Sequence, residues 1–115
     1  MARNRYYLSI ADLAHARGAD ERFAYSGAGP NDFASALQSA LRTDELFVRW
    51  RAAQPDPEAV DESLRASDPA ASVKASVADL HTDVQLDTDL PMSVVRHRLY
   101  LLIGAAWTLR DVRAA

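Results

Sequence analysis

Tyr6, Leu8 and Ile10 alternate with Tyr7 and Ser9 in RYYLSI, a period-two pattern that predicts an opening strand with one apolar face. In ERFAYSG, Phe23 and Tyr25 share a face and predict a second, short strand, broken by GAGP at Gly27–Pro30. From Pro30 the period changes. Phe33, Ala36, Leu37, Ala40 and Leu41 recur at helical spacing, and a proline suits the first turn of a helix. Thr43 before Asp44 and Glu45 reads as the cap of another, shorter helix reaching about Gln54, with Leu46 and Trp50 on one side.

The cleanest alternation is LHTDVQLDTDL. Leu80, Thr82, Val84 and Leu86 fall on one face and His81, Asp83, Gln85 and Asp87 on the other, as in a sheet with one packed and one wet side. Val73, Ala75 and Val77 just before it are in phase, which predicts a hairpin through Ala78-Asp79. Beyond Pro91 the period returns to 3.6. Met92, Val95, Leu99, Leu102, Ile103 and Ala106 span an arc of about 100° that leaves Arg96, His97 and Tyr100 outside. Gly104 is placed for a left-handed cap, and Trp107 and Leu109 then alternate with Thr108 and Arg110 in a closing strand, with both apolar residues facing the core.

With the short strand set aside and the first helices merged, the order is β-α-β-β-α-β. That predicts an α+β fold: a small two-layer sandwich, an antiparallel sheet with helices on one face, in a ferredoxin-like arrangement. One domain over residues 1–115 fits the length. Residues 54–72 stand apart as a long acidic, proline-containing loop. Three prolines and five acids against one arginine give the loop a formal charge of −4, and it is expected to be mobile, with Val60 and Leu64 docking only weakly.

Composition narrows the function classes. The net charge of −3 argues against a surface built for phosphate backbones, so no nucleic acid is expected as partner. No cysteine is present, which removes disulfides and thiolate chemistry. The basic start lacks an apolar stretch of signal-peptide length, and the apolar run Leu99–Leu109 stops at eleven residues, short of the roughly 20 a membrane helix needs. A cytoplasmic location and no membrane contact follow as expectations.

Candidate chemistry is sparse. Arg96, His97 and Arg98 lie early in the last helix, where positive charge opposes the helix dipole and invites an anion, but they spread over about 200° of the helix. Arg49 and Arg51 flank Trp50 and offer cations beside a stacking surface, for an anion or an acidic partner. His81 and Asp83 share one wet strand face and form a weak alternative metal pair, lacking the third and fourth ligands a metal wants. Tyr6 and Tyr7 lack the second aromatic motif of RNA-recognition modules. No phosphate loop, nucleophile elbow or zinc-protease helix occurs, so neither a catalytic residue nor a cofactor is expected.

The resulting expectation is a small domain acting by protein–protein binding without catalysis, with a protein partner or a second copy of itself. The alternative is a small enzyme, or a domain that binds an anionic small molecule through the Arg96–Arg98 region.

Overall fold

Residues 3–27 and 29–115 are described by the structure, a computed structural model. The GAGP break therefore includes one residue, Ala28, outside the described residues. In chain order the elements are β1 (Asn4–Ile10), α1 (Pro30–Arg42), α2 (Glu45–Ala52), β2 (Ser72–Ala78), β3 (His81–Thr88), α3 (Met92–Ile103) and β4 (Thr108–Ala114), with short 3-10 turns at Leu13–His15, Pro57–Ala59 and Glu62–Arg65. The strands form one sheet in the order β2-β3-β1-β4, and every neighbouring pair is antiparallel. This is an α+β fold with a four-stranded antiparallel sheet and three α-helices. No described helix is long and apolar enough to cross a membrane.

The period-two alternation becomes one buried sheet face. Tyr6, Leu8 and Ile10 of β1, Val73 of β2, and Val84 and Leu86 of β3 join one core with Phe33, Leu37 and Leu41 of α1 and Val95, Leu99, Leu102 and Ile103 of α3. Each buried aliphatic side chain contributes about 1.5–3 kcal/mol, so this cluster is the main source of stability. Pro30 occupies the first turn of α1, as its fixed φ favours.

Three expectations need correction. The strand expected at ERFAYSG is a turn. Phe23 and Tyr25 are buried, but the amides of Gly18 and Tyr25 both donate to the Leu102 carbonyl, at 3.0 and 2.8 Å. That oxygen belongs to the last turn of α3, where carbonyls lack helical partners, and the segment supplies the missing donors. The hairpin turn is Asp79-Leu80, with Asp79 at φ 54, so Leu80 is 95% exposed at the tip instead of packing on the strand face. In β4, a register irregularity opposite Tyr7 and Leu8 shifts the alternation. Trp107 packs half-buried against the core just before the strand, while Leu109 is 39% exposed. Gly104 does take a positive φ of 65, but with ψ −131, a region open essentially to glycine.

The acidic segment is held in place. Asp56 and Asp61 each accept a backbone N–H two residues on, from Glu58 and Ser63, and so start the two 3-10 turns. Asp68 is buried and accepts from Thr88 Oγ1, Arg3 and the amides of Ala70 and Asp89. Arg98 is also fully buried, and it donates to the carbonyls of Ala40, Leu64 and Ala66. Polar groups inside the fold, more than Val60 and Leu64, dock this segment.

Candidate functional site

With α1 and α3 packed on one side, the other face of the sheet is open. Strand register sets its side chains in rows. The first row reads Ser72, Asp87, Arg5, Arg113; the second Lys74, Gln85, Tyr7, Asp111; the third Ser76, Asp83, Ser9, Thr108. The extra residue at the β4 irregularity, Arg110, lines the same side, in a shallow cavity of about 610 Å³ shared with Tyr7, Lys74, Ser76, Asp83 and Gln85. Tyr7 is the one aromatic side chain in these rows, and it stands near their centre.

The electrostatics of this face follow from which charges are paired. Arg5 makes a two-pronged contact with Asp87, at 2.8 and 3.0 Å. This hydrogen bonding raises the Arg5 pKa and, outweighing partial burial, lowers that of Asp87. Arg113 Nε donates to Asp111 Oδ2 at 2.7 Å, a single contact, and its guanidinium lies 5.7 Å from the Tyr7 ring centre. Asp83 is 2.9 Å from His81 Nε2. Lys74 and Arg110 remain. Neither has an ion pair or a side-chain hydrogen bond among the described residues. Beside a neutral His81 the Asp83 charge persists, but Arg5, Lys74, Arg110 and Arg113 outnumber Asp83, Asp87 and Asp111, so this face is net positive within a chain of net −3.

Lys74 lies on one edge strand and Arg110 on the other. Three inter-strand steps of about 4.8 Å put their backbones roughly 14 Å apart, with Gln85 and Tyr7 between them. Such an arrangement can take two anionic groups at once and offers an amide and a phenol to what joins them.

The residues singled out by sequence do not converge. Arg96 is exposed, His97 is half-buried against Trp50 and Phe47, and Arg98 is fully buried. Arg49 donates to the Arg22 carbonyl, and Arg51 to the Pro57 carbonyl with Glu62 3.0 Å away. His81 and Asp83 meet as a pair on the open face, and among the described residues no group of three or more metal-ligating side chains forms. His15 and Asp12 form a similar surface pair at 2.9 Å. Among the described residues no hydroxyl hydrogen-bonds to either imidazole.

A second groove, of about 400 Å³, lies between α1, α2 and the 22–27 turn. Its two arginines are engaged: Arg22 with Asp20 at 2.7 Å, Arg49 with a carbonyl, and both guanidiniums near the Phe23 ring. Asp32 and Glu45 on its rim oppose an anion. Sequence reasoning passed over Lys74 and Arg110. The alternation of Val73, Ala75 and Val77 did place Lys74 on the wet face, and that of Trp107 and Leu109 placed Arg110 there, but that both lack acidic partners depends on cross-strand register that no pattern announces. Comparison with protein-family models, with curated proteins and with solved structures gives no match.

Proposed function

We propose that this chain is a non-catalytic binding domain whose open sheet face takes an acidic segment of a protein partner. The observation that carries the reading is the pair of cations without ion pairs, Lys74 and Arg110, at opposite ends of a cavity whose one lining carboxylate, Asp83, is hydrogen-bonded to His81. A segment with two carboxylates about 14 Å apart, roughly four residues in extended chain, matches them. Nucleic acid fits less well. On this face, among the described residues, two cations lack ion pairs and Tyr7 is the aromatic side chain at the centre, where single-strand binding draws on several of each.

The strand arrangement also supports a ferredoxin-like reading of the topology. β1 and β2 run parallel with β3 between them, and a helical crossover joins them.

The test is fluorescence anisotropy of a labelled peptide, Glu-Ser-Gly-Ser-Glu, with a Lys-Ser-Gly-Ser-Lys peptide and a thymidine oligonucleotide as controls. Binding of the acidic peptide alone, weakening as salt rises, is expected. Binding of the oligonucleotide in preference, or no binding of the acidic peptide, contradicts the reading.

A further inference from the structure

His97 sits where α2 meets α3. Its ring lies edge-on to Trp50, with centroids 4.4 Å apart, and to Phe47 at 6.4 Å. Both ring nitrogens are buried, and neither has a hydrogen-bond partner among the described residues. A neutral imidazole there leaves one donor and one acceptor unmet. A protonated one leaves two donors unmet and adds a buried charge directly before Arg98 in the chain. The slot therefore tolerates the neutral ring and rejects the cation. Burial first, and the Arg98 charge second, hold the His97 pKa below the usual imidazole value.

No nearby acid is free to offset that cation. Asp44 caps α2, which brings Arg49 and Arg51, while its own acid Glu45 lines the groove beside Arg22 instead; from the Glu62–Arg65 turn come Glu62 and Arg65; α3 itself adds Arg96 and Arg98. Asp44 lies 3.8 Å from Arg65, and Glu62 is shared by Arg51 at 3.0 Å and Arg65 at 3.6 Å. The sheet is insulated from this cluster. At 100° per residue, His97 points about 160° away from Val95 and Leu99, which pack in the core.

We propose that His97 is an acid-sensitive latch, whose protonation drives the ring out from beside Trp50 and Phe47 and loosens α2 from α3 while the sheet, and the segment held by Arg98, stay folded. The sign follows from linkage. The released imidazole takes a proton near pH 6.5 and the docked one only at lower pH, so docking is at full strength above about 6.5 and weakens as pH falls below it.

Amide hydrogen exchange on the full ¹⁵N-labelled chain tests this at pH 7.5 and 5.0. Protection factors in residues 45–52 are expected to fall at least tenfold at the lower pH, while those of 4–10 and 82–88 hold. H97F, which keeps a ring in the slot without a titrating nitrogen, is expected to abolish the fall. A second measurement needs no variant: the imidazole ¹³Cε1 shift of His97 must titrate in step with the loss of protection. Equal protection at both pH values, the same fall in H97F, or a fall that tracks His15 or His81 instead overturns the proposal.

Discussion

Arg98 Nη1 donates to the Leu64 carbonyl oxygen at 2.6 Å, and this bond ties α3 to a segment carrying five acids and three prolines. Nε and Nη2 of the same guanidinium reach the carbonyls of Ala40 at 2.9 Å and Ala66 at 3.2 Å. Burial pulls the Arg98 pKa down and the Asp44 carboxylate partly offsets this, yet a guanidinium stays charged in either setting. The side chain is thus a buried cation neutralised mainly by backbone dipoles, and it joins α1, α3 and the chain crossing from α2 to β2.

Replacing Arg98 with methionine fills similar volume but strands three carbonyls. At about 1–3 kcal/mol for a buried unsatisfied group, relieved in part by water, a loss of about 3–5 kcal/mol is expected in urea unfolding. Lysine restores the charge without the fork, and R98K is expected to recover less than half of the loss. Wild-type stability in R98M would mean that the carbonyls find other donors.

Asp68 acts as the matching acceptor. It takes hydrogen bonds from Thr88 at 2.8 Å, Ala70 N at 3.0 Å, Arg3 at 3.1 Å and Asp89 N at 3.3 Å. Burial by itself would raise its pKa, but the bonds from Thr88, Ala70 and Asp89 and the charge of Arg3 together bring it below 3.8. Its stabilisation is therefore complete above pH 3.8 and disappears as the pH drops through the lower folded value. D68A is expected to cost about 2–4 kcal/mol at pH 7 and to flatten the stability curve below pH 4. An unchanged acid slope in D68A would assign the acid sensitivity to other carboxylates.

These two residues mark where the sequence was silent. The strands β1 and β3 and the helix α1 were legible because each packs a single face, so Tyr6, Leu8, Ile10, Val84, Leu86, Phe33 and Leu37 declare their period. α3 is covered on two sides. Val95 and Leu99 face the sheet, while Arg98, about 60° to 100° around the helix from them, is covered by the 62–66 chain, so a polar residue inside the fold reads from sequence as solvated. The segment 54–72 misleads for the complementary reason, since its contribution to docking is backbone carbonyls and one carboxylate, which hydropathy does not register. On the open face, Tyr7 and Lys74 were placed by alternation, but which cations lack partners depends on cross-strand register.

Gly18 offers a sharper test of the 13–27 wrap. Its amide bonds to Leu102, and a Cβ built there would collide with the Leu101 carbonyl oxygen, a backbone atom fixed by helix α3. G18A is expected to lower stability by about 2 kcal/mol or more, read as a lower urea midpoint, because either the wrap or the helix end must shift. An unaltered midpoint would show that the segment docks differently.

Charge reversal should separate binding from folding. Lys74 is exposed and Arg110 lies on the exposed strand β4, so K74E/R110E is expected to change stability by no more than about 0.5 kcal/mol, as for ordinary surface substitutions. A large destabilisation would give these residues a structural role.

Chemical-shift mapping of the ¹⁵N-labelled chain with the Glu-Ser-Gly-Ser-Glu peptide tests the proposed binding face most directly. Shifts concentrated on Tyr7, Lys74, Gln85 and Arg110, and lost in K74E/R110E while that variant keeps a wild-type spectrum elsewhere, are the expected result. No shift at saturating peptide, or shifts centred instead on Arg22 and Arg49 or on Arg96, would contradict an acidic-segment site on the open sheet.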